Sequence, residues 1–137
     1  MTLTKSHLAY FKAAKAVSEL SDFDRVHIGA VAVYKHKIIS SGTNSYKTNP
    51  IQKKYNKYRY SVDKGHTLHA EMECLLPLMS RKDIDFNRLS LYIYRENKNG
   101  SLAIAKPCES CRQLIKALGI KKIYYTSDDS YVAENFI

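Results

Sequence analysis

Two short motifs stand where two different helices are predicted to begin, His69-Ala70-Glu71 and Pro107-Cys108-Glu109-Ser110-Cys111. Either motif alone is weak evidence, because a Cys-x-x-Cys pair can be a redox pair or half of a structural metal site, and a His-x-Glu is often a surface pair. Together they offer an imidazole, a carboxyl group and two thiols that lie one helical turn apart. We therefore expect a fold in which both helices begin beside one metal ion.

The residue types favour zinc in a catalytic site. Thiolates from Cys108 and Cys111 and a neutral imidazole from His69 balance the charge of Zn²⁺ and leave its fourth position open, whereas a structural site is normally closed by a fourth ligand. Cys74 is an alternative fourth ligand, but it lies more than one helical turn beyond His69. Glu71 is too close to His69 to be a comfortable second ligand, so it is predicted to be the catalytic acid and base. The alternative for Glu71 is a carboxylate that pairs with the helix dipole.

The hydrophobic periodicity predicts an α/β order of elements. The predicted helices cover residues 3–20, 67–80 (capped by Thr67 and kinked or ended by Pro77) and 108–118 (ended by Gly119). The predicted strands cover 27–34, 37–41, 89–94 and 120–126, with a two-residue turn at Lys35 and His36 and with Gly42 ending the second strand. Residues 127–137 are too few for a parallel crossover, so a fifth strand at 131–136 should return antiparallel. We expect residues 1–137 to form one domain with one core.

The charge of the chain favours an anionic substrate or partner. Lys and Arg number 22 against 13 Asp and Glu, which leaves a formal net charge of +9. Such an excess attracts a nucleotide phosphate or a nucleic acid backbone equally well. The charge is concentrated in residues 46–64, here called the basic segment, where four tyrosines are interleaved with lysines and an arginine. Loops this long are usually functional or disordered, so the segment is either a substrate-facing surface or a solvated loop.

Composition also bears on where the protein works. No apolar stretch approaches the roughly 20 residues that cross a bilayer, and the first residues lack the apolar run of a secretory signal. Three cysteines, two of them in a Cys-x-x-Cys pair, fit a reducing compartment better than a disulfide framework. We therefore expect a cytoplasmic protein without membrane contact, and we expect it to be a homo-oligomer.

The sequence resembles the cytidine and deoxycytidylate deaminase superfamily over most of its length. The resemblance rests on residues 26–33, 42–44, 69–71, 107–111 and 119–123. It implies a three-layer α/β/α fold with a mixed five-stranded sheet, and a hydrolytic reaction that replaces the amino group of a nucleobase with oxygen. It also implies that Asn44 contacts the sugar of the substrate. Backbone groups near Ala70 and Pro107 would hold the pyrimidine and its amine.

The resemblance is divided between two branches of that superfamily. His69 as a ligand and the Gly-Thr-Asn element that ends at Asn44 look like deoxycytidylate deaminases, whereas Cys111-Arg112-Gln113 looks like the cytidine deaminases, and whether Arg112 and Gln113 tune the metal site is open. The expected substrate is cytosine in a small nucleotide or nucleoside. The alternatives are a cytidine deaminase of single-stranded nucleic acid that binds through the basic segment, a deaminase of adenine or guanine, and a zinc-stabilised binding module without catalysis.

Overall fold

The computed structural model describes residues 3–22, 26–46, 51, 68–97 and 99–136. The expectations that concern the basic segment, and the cap at Thr67, therefore lie almost entirely outside the described residues. The helices and strands are α1 (Lys5–Ser18), β1 (His27–Tyr34), β2 (Lys37–Thr43), α2 (Ala70–Leu75), β3 (Ser90–Glu96), α3 (Glu109–Leu118), β4 (Lys122–Thr126) and β5 (Tyr131–Asn135).

The strands form one five-stranded sheet in the order β2-β1-β3-β4-β5. Strand β1 is antiparallel to both β2 and β3, β3 is parallel to β4, and β5 is antiparallel to β4. The predicted mixed sheet with an antiparallel last strand is thereby confirmed. Helix α3 connects the parallel pair β3 and β4, as a crossover between parallel strands requires.

Alternate residues of the central strands face opposite layers, because successive side chains of a strand point to opposite sides. On one face, buried aliphatic residues of the sheet pack against α2 and α3; they include Ala30, Ala32, Leu91, Ile93 and Ile123, with Met72, Leu75, Leu114 and Ile115 from the helices. On the other face, α1 packs through Phe11 and Ala14 against Val31, Val33, Tyr92, Tyr94 and Tyr124. The predicted three-layer α/β/α arrangement is confirmed.

Two glycines let helices approach the sheet closely. A Cβ atom at Gly29 would lie 2.0 Å from the carbonyl oxygen of Ala14 in α1. A Cβ atom at Gly42 would lie 2.4 Å from the backbone nitrogen of Cys74 in α2. Gly42 was expected to end its strand, but β2 continues to Thr43. The physical reason for glycine at position 42 is the helix packed against it.

The ends of the helices differ in part from the predictions. Helix α1 starts after Thr4, which forms a reciprocal capping box with His7, and it stops at Ser18. Leu20, the last residue of the predicted helix, lies beyond its end and is 76% exposed. Helix α2 begins only at Ala70 and stops at Leu75, where the chain passes into a 3₁₀ turn that contains Pro77. Proline cannot donate a backbone hydrogen bond, so the early stop is the expected effect.

The structure contains the predicted turn between the first two strands and the predicted end of the third helix. Lys35 and His36, with φ of 50° and 67°, form the tight turn between β1 and β2. Gly119 ends α3 in the left-handed region at φ 89°, where glycine has no steric penalty. Among the described residues, no helix is both long enough and apolar enough to cross a membrane.

Candidate metal centre

The chain places His69 at the very start of α2. Leu68 pairs with Ser45 through two backbone hydrogen bonds of 2.9 and 3.0 Å, which tie the approach to α2 to the chain just beyond β2. His69 then occupies the N-cap position in an extended conformation, and its carbonyl oxygen accepts from the backbone N–H of Glu73. The imidazole is therefore held at the N-terminus of a helix that packs against Gly42.

The start of α3 is positioned by the segment of residues 102–107, which adds to the end of β3. Leu102 bridges to Glu96, and the backbone N–H of Ala103 donates to Arg95. Thr126, fully buried at the end of β4, donates its hydroxyl to the carbonyl oxygen of Ala103 at 2.7 Å. Its own carbonyl oxygen accepts from the backbone of Ala105 at 2.8 Å. These bonds hold the chain that leads into Pro107.

The three predicted ligand side chains meet between the two helix starts. Nδ1 of His69 lies 3.4 Å from Sγ of Cys108 and 3.4 Å from Sγ of Cys111. The three ligand atoms lie within 4.8 Å of one another. Tetrahedral zinc with ordinary Zn–S and Zn–N bond lengths separates a sulfur from a nitrogen ligand by about 3.5 Å. The cluster therefore fits a zinc ion through Nδ1 of the histidine.

Charge in the cluster is unevenly shared. The Cys111 thiol and then His69 stabilise the thiolate of Cys108 and lower its pKa to about 4. The hydrogen bond to Cys108, together with complete burial, raises the pKa of Cys111. Cys111 therefore keeps its proton, while the negative charge lies on Cys108. A divalent cation replaces that proton with a stronger electrostatic partner for both sulfurs.

Glu71 lies in the first turn of α2 beside this cluster. Its residue is only 5% exposed, and its carboxyl group is in hydrogen-bonding contact with Cys111. Burial raises the pKa of Glu71, and the neighbouring positive charge of His69 opposes that shift in part. A carboxyl group with a raised pKa next to a metal site is suited to accept and return a proton at neutral pH.

Cys74 is not a member of the cluster. Among the described residues, the group with metal-ligand geometry consists of His69, Cys108 and Cys111. Cys74 is buried in the layer between β2 and α2, and burial raises the pKa of its thiol to about 12. The alternative of a closed structural site with Cys74 as fourth ligand therefore has no support in the geometry.

The predicted substrate contacts have different surroundings. Ala70 is the first residue of α2 and Pro107 directly precedes Cys108, so both backbones flank the cluster, and both residues are buried. The Asn44 side chain is engaged with the chain before β1. Its Oδ1 accepts from Ser21 Oγ at 2.7 Å and from the backbone of Ile28 at 3.0 Å, and its Nδ2 donates to Val26 at 2.7 Å. Among the described residues, this leaves one N–H of the Asn44 amide for a ligand.

Two residues near the site were not found from the sequence. Glu73 Oε1 accepts from the backbone N–H of Thr43 at 3.1 Å and so joins the start of α2 to the end of β2. Thr126 joins β3, β4 and the 102–107 segment. Neither had a local signal, because a glutamate in the first turn of a helix and a threonine in a strand are both ordinary.

Arg112 and Gln113 point away from the cluster. Arg112 donates through Nη1 to the carboxylate of Glu134 in β5 at 2.8 Å, and its guanidinium lies 4.7 Å from the ring centre of Phe136. Gln113 donates to Glu109 at 2.8 Å within α3. These two residues stabilise the contact of α3 with β5 and the first turn of α3, respectively.

Comparison with known proteins agrees with this geometry. A family model described as the cytidine and deoxycytidylate deaminase zinc-binding region matches residues 4–127. The chain belongs to this family. Family membership and the cluster of His69, Cys108 and Cys111 together confirm Zn²⁺ as the cofactor. No curated protein sequence matches the chain at a significant level.

Solved structures of deaminases share the fold. The deoxycytidylate deaminase of the cyanophage S-TIM5 has a TM-score of 0.63 at 25% identity, over 91% of this chain and 84% of that chain. A cytidine deaminase from Burkholderia pseudomallei has a TM-score of 0.63 at 21% identity, over 98% of this chain and 93% of that chain. The cytidine deaminase of Mycobacterium tuberculosis has a TM-score of 0.54 at 21% identity, over 86% of this chain and 81% of that chain.

Proposed function

We propose that this member of the deaminase family converts cytosine to uracil in a small nucleotide or nucleoside by hydrolysis of the amino group, with release of ammonia. The observation that carries the proposal is the convergence of His69, Cys108 and Cys111 beside the buried carboxyl group of Glu71. Three ligands with a neighbouring acid and base are typical of a catalytic zinc site, whereas a structural site is closed by a fourth protein ligand.

His69, Cys108 and Cys111 hold the zinc in this proposal, through Nδ1 and the two sulfur atoms. When bound in such a site, zinc supplies Lewis acidity and lowers the pKa of water to about 7. Glu71 takes a proton from the attacking water and delivers it to the ring nitrogen beside the amino-bearing carbon. It then carries the second proton to the amino group, which leaves as ammonia while the carbon–oxygen double bond forms.

The backbone around the cluster orients the base. Ala70 directly follows His69 in the sequence, and Pro107 directly precedes Cys108. We infer that they hold the pyrimidine ring and its amino group. Asn44 contributes its remaining amide N–H to the sugar and uses its other polar atoms to bind Ser21, Val26 and Ile28.

A mononucleotide is the substrate that we favour. The phage deoxycytidylate deaminase with this fold has been solved with dCMP and dUMP. The lysines and the arginine of the basic segment are suited to bind a phosphate. Two further cations lie close in sequence to the metal ligands: Arg95 near the end of β3, and Lys106 in the segment that leads to Cys108. The second candidate is single-stranded nucleic acid, which the interleaved tyrosines and lysines of the basic segment would suit through stacking and phosphate contacts.

A panel assay with the purified zinc-loaded chain tests this substrate. The panel contains dCMP, CMP, deoxycytidine, cytidine, adenosine, guanine and cytosine-bearing oligonucleotides, and ammonia release is measured for each. We expect turnover of a cytosine monophosphate with the highest kcat/KM. Turnover confined to oligonucleotides, with a steep loss of affinity in salt, would assign the second candidate instead.

Glu71→Gln tests the proton carrier. The variant should keep one zinc per chain and lose about 10²- to 10⁴-fold in kcat, because the amide cannot accept the proton. Glu73→Gln is the matched control, since Glu73 lies in the same helical turn and its side chain accepts a hydrogen bond that a glutamine oxygen can also accept. Near-normal turnover by Glu71→Gln would move the acid–base role to another residue.

A further inference from the structure

A cleft lies on the α1 face of the sheet, at the end where β1 meets its turn and β3 begins. Its volume is about 540 Å³, within the range of small-molecule sites. The cleft is lined by the start of α1, by the turn between β1 and β2 and by the start of β3. Its charged and aromatic side chains are His7, Tyr10, Lys35, His36, Arg88 and Tyr92.

The cleft is separate from the metal centre. Val33 and Tyr92 in its wall belong to the core on the α1 face, whereas His69 and Cys108 begin the helices on the opposite face. The cleft lies at the Tyr34 end of β1. Helix α2, which carries His69 at its start, instead packs against Gly42, and Gly42 pairs with Ala30 nearer to the beginning of β1.

The charge of the cleft is positive. Its rim exposes Lys35, His36 and Arg88. None of the described residues that line the cleft is acidic. Arg88 has one acidic neighbour, Asp85 at 3.7 Å, and both side chains are more than half exposed, so that ion pair is weak. The N-terminus of α1, capped by Thr4, opens on the same cleft and adds the positive end of its helix dipole.

The inner wall of the cleft is aromatic. Tyr92 stacks on Tyr124 with ring centres 4.4 Å apart, and Tyr10 lies 5.1 Å from Tyr92. The hydroxyl of Tyr10 donates to the carbonyl oxygen of His36 at 3.0 Å, which joins α1 to the turn that bears Lys35. His7 packs against Tyr124 at 4.9 Å. These contacts hold the rings in place, so a planar ligand would meet a surface that is already formed.

From these features we propose that the cleft binds a small phosphate ester that carries a planar ring. Arg88, Lys35 and His36 contact the phosphate, and the rings of Tyr10 and His7 pack against the planar group. Cations over an aromatic wall recognise both halves of such a ligand, whereas inorganic phosphate would use the rim alone and an uncharged nucleoside the wall alone.

Calorimetric titration of the zinc-loaded chain with AMP, adenosine and inorganic phosphate tests the proposal. We expect one AMP per chain and clearly weaker binding of adenosine and phosphate. Arg88→Gln and Lys35→Gln should each weaken AMP binding about ten- to hundredfold, as the loss of a charged hydrogen bond does. Lys37→Gln is the matched control, because Lys37 is exposed in the same hairpin but does not line the cleft.

The outcomes separate this proposal from the deaminase reaction. All three substituted side chains are exposed, so the variants should unfold at the same temperature as the unsubstituted chain without ligand. AMP binding that is unchanged in the Arg88→Gln, Lys35→Gln double variant would overturn the proposal. Binding of an oligonucleotide that needs Arg88 and Lys35, without binding of AMP, would also overturn it and assign a nucleic acid surface. Because binding is measured directly, the result does not depend on turnover.

Discussion

The two faces of the sheet are built from the same strands with different side chains. Leu91 and Ile93 of β3 face α2 and α3, whereas Tyr92 and Tyr94 between and beyond them face α1. The aliphatic face buries Glu71 and Cys111; burial raises the pKa of Glu71, and it adds to the hydrogen bond with Cys108 in raising the pKa of Cys111. The tyrosine face is also buried, through Tyr92, Tyr94 and Tyr124, and it ends in a cationic cleft. The sheet thus offers a dry aliphatic face for chemistry and an aromatic face that leads to a cleft for recognition.

The largest effect is expected on the dry face. Cys111→Ala should remove zinc and activity almost completely and lower the unfolding temperature, because the ion loses a ligand and a balancing charge. Cys74→Ala is the matched control, since Cys74 is buried on the same face but lies outside the cluster. Metal analysis and thermal unfolding of both variants check this. A Cys111→Ala variant that still binds one zinc per chain would contradict the ligand assignment.

Substitutions at the two close-packed glycines test the two faces of the sheet separately. Gly42→Ala and Gly29→Ala both place a Cβ atom against helix backbone, so each should destabilise the fold by about 3 kcal/mol or more. Only Gly42→Ala displaces α2, which carries His69 and Glu71 at its start, so it should also weaken zinc binding. Denaturant unfolding gives the stabilities, and competition with a chelator gives the zinc affinities. Equal loss of zinc affinity in both variants would show that the faces are not independent.

A smaller effect concerns pH in the zinc-free chain. Glu71 in the unfolded chain loses its proton as the pH rises above its ordinary pKa of 4.5. In the folded chain, where burial raises the pKa of Glu71, the carboxyl group still holds that proton. The unfolded state then binds fewer protons, so stability is present below that pH and falls as pH rises toward the folded pKa. Glu71→Gln removes this dependence and should gain stability relative to the unsubstituted chain as pH rises. Unfolding of both chains between pH 4 and 8 measures it, with Glu73→Gln as control.

The sequence predicted much of the fold and all three members of the cluster, because those features have local signals. Alternating apolar residues predicted the strands, and the thiol spacing predicted the geometry at the start of α3. The end of α1 was wrong, because apolar Leu20 continues the helical periodicity even though the chain leaves the sheet after Ser18. The extension of β3 to Glu96 was missed, because it depends on pairing with His27 in β1 and Leu102 beyond the strand.

Longer-range contacts near the site could not be predicted. The hydrogen bonds of Asn44 with Ser21 and Val26 join parts of the chain that no local pattern relates. The bond from Thr43 to Glu73 likewise depends on the packing of α2 against β2, which the sequence shows only as a glycine at position 42. Such contacts follow from the tertiary arrangement, and they hold the site in its geometry.

The position of Thr126 also bears on the order in which the protein is completed during synthesis. The hairpin of β1 and β2 needs only neighbouring residues and can form early, as local contacts do. The segment that leads to Pro107 is held by hydrogen bonds to Thr126, which is translated after α3. A nascent chain that stops before residue 126 therefore lacks the bonds that secure the cysteine-bearing half of the site. Metal loading is expected to follow translation of β4.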